Sequence, residues 1–195
     1  SWVVQILPYI EQQNAFKLFD IDAGAYAEVN QPVRGQSIPT LLCPSYPGES
    51  VRTDGDERVG MSTYSGCYND QEAPIDTDNN GLLFLNSQIR YSEILDGSTQ
   101  TILLGESIPS ENDLGWASGT RATLRNTSGF EETRDWPRQD TQDAGSLQVG
   151  KFGSFHTGGA VFTFADGSVR FISQNIDADL FRKFGNRADG ELLNE

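Results

Sequence analysis

The chain has 195 residues, enough for one well-buried core, and reads as a single domain over 1–195. Hydrophobic residues make up 36% and include 11 Phe, so the composition excludes a disordered chain and supplies a core. A net charge of −14 repels phosphate backbones and anionic headgroups, which argues against nucleic acid as a partner. No run approaches the ~20 apolar residues of a membrane span, so this stretch is expected to make no membrane contact of its own.

In chain order, Trp2, Val3, Ile6, Leu7, Ile10, Phe16 and Phe19 recur at helical spacing. They predict a helical segment over 1–20, interrupted near Leu7 by Pro8 and resuming from Tyr9 to Leu18. Residues 22–47 are broken by Gly and Pro around Leu41-Leu42-Cys43, a candidate short strand, and 49–61 read as a polar surface excursion. Thr63–Tyr68 and Leu82–Leu85 read as strands flanking an acidic linker. Tyr91–Leu95 suits a helical turn stopped by Asp96-Gly97, and Thr101–Glu106 a buried strand. Over 107–150 the period is lost, which predicts a loop-rich insertion with two short strands near Trp116 and Thr123. Within it, Asn126-Thr127-Ser128 matches a glycosylation sequon, a tripeptide common by chance.

The clearest local signal is a hairpin turning at Asp166-Gly167, within a motif hairpin over 156–172. Treated as a two-residue turn, it sets Phe164 opposite Val169 and Phe162 opposite Phe171, and these four residues form one core-directed face. Beyond it, Asp177 is placed to cap a helix running to Phe184, with Leu180, Phe181 and Phe184 buried and Gly185 as its C-cap.

Several residues invite functional readings. Cys43 and Cys67 cannot complete a Cys₄ or Cys₂His₂ zinc site with the single His156; they form either a disulfide or two free thiols. His156 could join Ser154 and Asp166 in a hydrolytic set, but no nucleophile-elbow pattern is present. The structural alternative has His156 bond to backbone near Gly158-Gly159 and lead the chain into the hairpin. Asp76, Asp78 and Asn80 match the first half of a calcium loop, whose twelfth position here is Ser87 rather than Glu, leaving a looser calcium site. Trp116 and Trp136, among polar neighbours, could form a sugar-stacking surface.

His156 is followed after nine residues by Asp166-Gly167. This resembles the prepilin-type processing-associated H-X9-DG family, pilin-like proteins abundant in planctomycete bacteria. Ser1-Trp2, Gln5 to Gln12, Cys43-Pro44-Ser45, Asp96-Gly97-Ser98 and Thr101–Glu106 are similar to that family in order, so the likeness covers most of the chain. His156, Gly158, Gly159, Asp166 and Gly167 carry the eponymous motif. The resemblance implies an α+β fold: a pilin-like head with an antiparallel sheet, an N-terminal helical segment and long loops. It also implies a non-enzymatic subunit of a surface, type IV pilus or type II secretion filament, periplasmic or at the cell surface. Other pilin-like subunits would be its partners, through an anchoring helix that this sequence does not contain. The alternative expectation is a calcium-assisted carbohydrate-binding module with polysaccharide as partner.

Overall fold

The computed structural model describes residues 1–110, 112–131 and 148–191. They form an α+β fold around a six-stranded mixed sheet. The N-terminal helical stretch starts with α1 (Trp2–Ile6), capped by the Ser1 hydroxyl, which accepts from the Val3 amide at 3.1 Å. Pro8 sits in a 3₁₀ turn, Leu7–Ile10, where its missing N–H costs nothing, and Glu11 in the left-handed region ends the run. Helix α2 (Gln13–Leu18) then restarts it, and α3 (Gln31–Arg34) follows. Val3, Val4, Leu7, Ala15 and Phe19 bury the inner side of this layer against Val33, Ile38, Leu41 and Trp116.

Two segments depart from the sequence expectations here. Leu41-Leu42-Cys43 is not a strand; Pro39–Leu41 makes a 3₁₀ turn. The polar stretch 49–61 is ordered as a ribbon of β1 (Val51–Asp54) and β2 (Glu57–Gly60), with Gly55 and Asp56 at its tip. Glycine-aspartate at a two-residue connection is hairpin chemistry that the charged composition concealed.

The main sheet runs β6 (Lys151–Phe152), β5 (Leu124–Phe130), β3 (Tyr64–Asn69), β4 (Ile102–Glu106), β7 (Gly159–Phe164), β8 (Val169–Ser173). It is antiparallel from β3 through β8, whereas β3–β5 and β5–β6 are parallel, so the sheet is not wholly antiparallel. Residues 107–150 therefore do more than decorate the fold, because they supply β5. That strand buries Asn126 completely, with its amide donating to Glu72 Oε2 and to the Gly150 carbonyl, so the sequon is closed inside the sheet. Leu82–Leu85 forms no strand, although the Leu82 and Leu83 amides bond to the Cys67 carbonyl.

Strand alternation divides the core between the two sheet faces. Cys67 points into an aromatic cluster with Phe152, Phe162, Phe164 and Phe181, while its neighbour Tyr68 points into a second cluster with Leu124 and Val149. Helix α4 (Ala178–Gly185) closes the first cluster: Asp177 caps it by accepting the Leu180 amide at 3.0 Å. Phe181 stacks on Phe130 at 4.7 Å and meets Phe162 edge-on. Gly185 is the last helical residue rather than a left-handed cap.

The terminal hairpin differs from the expected register by one residue. Phe162 pairs with Arg170 and Val161 with Phe171, and the Phe164 amide bonds to the Ser168 carbonyl, leaving a three-residue loop, Ala165-Asp166-Gly167. Gly167 takes the left-handed conformation at φ 84° that such a loop demands of its last residue. Phe162 and Phe164 are buried as expected, but Val169 and Phe171 are exposed at 63% and 56%. Ile172 takes their place inside, and the Arg170 guanidinium lies 4.3 Å over the Phe164 ring.

Candidate functional site

Three side chains meet at one end of the central strands. Glu106 is the last residue of β4 and its side chain is 3% exposed. Its Oε2 accepts the Val161 amide at 2.7 Å, which fixes the carboxylate against β7, and its Oε1 lies 3.0 Å from His156 Nε2. His156 stands in the turn before β7, held by its own amide donating to the Ser154 hydroxyl at 3.0 Å; that hydroxyl in turn donates to the Gly159 carbonyl. Cys43 follows the 3₁₀ turn and is fixed by its amide donating to Thr63 Oγ1 at 2.7 Å. Its Sγ lies 3.4 Å from the same His156 Nε2.

The electrostatics follow from this packing. Burial pushes the Cys43 thiol up; the Ser45 amide and hydroxyl partly oppose this, while the Glu106 carboxylate adds to it. The Tyr64 phenol, on the strand paired with β4, is likewise pushed up, first by burial and then by the charges of Cys43 and Glu106. Among the described residues, Cys43, Glu106 and His156 are the one group of three Cys, His, Asp or Glu side chains whose ligand atoms all lie within 4.8 Å of one another.

A nucleophile relay needs both imidazole nitrogens, one facing the nucleophile and the other the carboxylate. Here sulfur and carboxylate both face Nε2, so the three groups converge on one point instead of passing a proton across the ring. The Ser154–His156–Asp166 set is not assembled. Ser154 is bound to backbone, and Asp166 lies exposed in the hairpin loop, where Oδ1 accepts the Ser168 amide. Hydrogen bonding to Ser168 holds that carboxyl below its ordinary range.

The remaining sequence candidates fall elsewhere. Cys43 and Cys67 are both free, which excludes the disulfide: Cys67 lies in the sheet core under α4, its thiol directed at the Gly185 carbonyl. Gly158 and Gly159 shape the turn behind His156. A side chain at Gly159 would strike the Ile172 carbonyl at 2.1 Å, so β7 and β8 can approach there only at glycine. In the candidate calcium loop, Asp76 Oδ1 accepts the Thr77 amide, Asn80 Oδ1 accepts the Asp70 amide, and Asp78 is exposed. Trp116 offers no surface: it is fully buried, with Nε1 donating to the Gln36 carbonyl at 3.0 Å. Trp136 lies outside the described residues. Sequence reasoning missed Glu106 as a site residue. The available signal was a carboxylate closing an otherwise apolar, buried strand, a position acidic side chains rarely occupy without a partner.

The fold and site define an α+β protein whose chemistry-bearing side chains gather at the end of a mixed sheet. Residues 1–179 match the family model SBP_bac_10, described as protein of unknown function (DUF1559), and the chain belongs to that family. No curated protein and no solved structure matches it.

Proposed function

We propose that this chain is the head of an exported, non-enzymatic pilin- or pseudopilin-like subunit of a surface or secretion filament. The observation carrying this reading is how the first helical run is laid on the head. Val3 and Leu7 are completely buried and Val4 nearly so, while the Trp2 indole donates to the Thr123 carbonyl at the start of β5. Beside it lies an apolar cleft lined by Ile6, Leu83, Phe84, Leu103 and Leu104, a surface suited to helix packing. The same layer exposes Tyr9, Leu18, Ile21, Tyr26 and Val29, each more than half accessible, as a subunit interface would. The H-X9-DG resemblance supports the same reading. The carbohydrate-binding alternative loses its surface at Trp116.

The test is made in the native cell, with cysteines introduced at Leu18 and Ile21 for cross-linking. Envelope or surface fractionation with cross-linked multimers is expected. A monomer confined to the cytosol would overturn the reading.

A further inference from the structure

We propose that Cys43, Glu106 and His156 bind a zinc-class divalent transition ion at an open three-ligand site. This goes beyond the filament reading and does not depend on it.

The geometry carries the inference in three ways. Around a tetrahedral zinc ion, sulfur, nitrogen and oxygen ligands at ordinary bond lengths lie ~3.3–3.6 Å from one another. Sulfur and nitrogen here are 3.4 Å apart, nitrogen and oxygen 3.0 Å, and all three lie within 4.8 Å of one another, so small side-chain movements close the site. Second, the imidazole Nε2 faces the thiol sulfur and the carboxylate oxygen at once, so a cation placed between them would draw on all three atoms together. Third, the Thr63 and Ser154 hydroxyls pin the backbone amides of Cys43 and His156, and the Glu106 carboxylate itself accepts the Val161 amide. The bond to Glu106 acts on the ligand group directly, as outer bonds that orient a metal ligand do.

The donor set selects the ion. Thiolate and imidazole favour zinc and its neighbours over calcium or magnesium, which take oxygen. Binding releases the thiol proton to solvent: Cys43–SH and M²⁺ give Cys43–S–M⁺ and H⁺, with no change in oxidation state. Glu106 is closed in, but the imidazole side chain is 35% exposed, so the fourth position opens toward solvent on the histidine side. Three-ligand sites with an open position can accept water or an external ligand, unlike closed structural sites. The site would also join three segments distant in sequence: the loop after the 3₁₀ turn, the end of β4 and the turn before β7.

The test uses the whole chain, stripped with chelator and then titrated with zinc chloride, cobalt chloride and calcium chloride. One equivalent of zinc per chain is expected, with a raised Tm, and calcium should not substitute for it. Cobalt should give a sulfur-to-metal charge-transfer band that persists in Cys67→Ser and disappears in Cys43→Ser. His156→Ala and Glu106→Gln should each weaken zinc by ~10-fold or more. As a readout independent of variant folding, zinc should protect Cys43 of the wild-type chain from alkylation. Absence of stoichiometric zinc binding by the folded wild type, a cobalt complex without the sulfur band, or zinc that leaves Cys43 alkylation unchanged would each overturn the site.

Discussion

The two core regions of this protein are built differently. The aromatic cluster beneath α4 joins hydrogen-bonded strands of the main sheet to a capped helix, and its rings pack directly on one another: Phe162 meets Phe130, Phe152 and Phe181 within 5.2–5.9 Å. The N-terminal layer is made of helices of 4–6 residues, too short to persist alone. It is held by long-range ties centred on Trp116, whose indole donates to Gln36, whose amide donates to Gly60 and whose carbonyl accepts from the Ser1 hydroxyl. Sheet-centred packing thus contrasts with a layer dependent on a few distant anchors.

Breaking the first region should have the largest effect. Phe162→Ala removes the ring at the centre of the aromatic cluster and should cost about 3–5 kcal/mol in denaturant unfolding, with loss of the whole cooperative transition. A mild, local loss would show that the cluster is not the common core.

The second region should carry an acid-side stability slope. Burial pushes the Asp113 carboxyl up to about 6, opposed by Arg125 and by the Gly115 and Ser110 amides. The folded state therefore holds this proton more tightly than the unfolded chain, whose value is ~3.9. As pH rises through the window from about 4 to 6, Asp113 should lower stability by about 3 kcal/mol, and below that window the penalty vanishes. Asp113→Asn can still accept the Gly115 amide at Oδ1 and should flatten this part of the stability-versus-pH curve relative to wild type. Identical slopes would show that Asp113 titrates as it does in the unfolded chain.

The finest discrimination comes from Trp116→Phe. It keeps most of the buried ring but leaves the Gln36 carbonyl without its indole donor, at a cost of about 1–3 kcal/mol. Hydrogen exchange should quicken first in residues 2–41, while β4 and β7 stay protected. Uniform quickening would mean that the two regions open as one.

The same contrast explains what was legible beforehand. The Pro8 break, the buried strand ending at Glu106 and the Asp177 cap are local, and each appears where its pattern placed it. The strand expected near Thr123 is β5, which begins at Leu124, whereas Trp116 lies in a turn; the polar length of β5 was obscured because Asn126, Thr127 and Ser128 look like loop residues, and only their bonds inside the sheet make a polar strand stable there. At Leu82–Leu85 the apolar run serves packing on Tyr68 rather than strand pairing.

The sequence by itself determined the capped final helix, the turn at Asp166-Gly167 and the burial of Phe162 and Phe164, because spacing and turn chemistry act over a few residues; the α+β class was implied by the family resemblance. Tertiary structure decided the hairpin register: Ala165 and Asp166 donate their amides to the Thr101 and Ser98 carbonyls, contacts that hold the three-residue loop against the segment before β4. It also decided the site. Cys43 lies 113 residues from His156, and Glu106 lies 50 from it. No local pattern encodes their meeting. It follows from the pairing of β3 with β4 and β4 with β7, which brings a strand end, a loop and a turn to the same point.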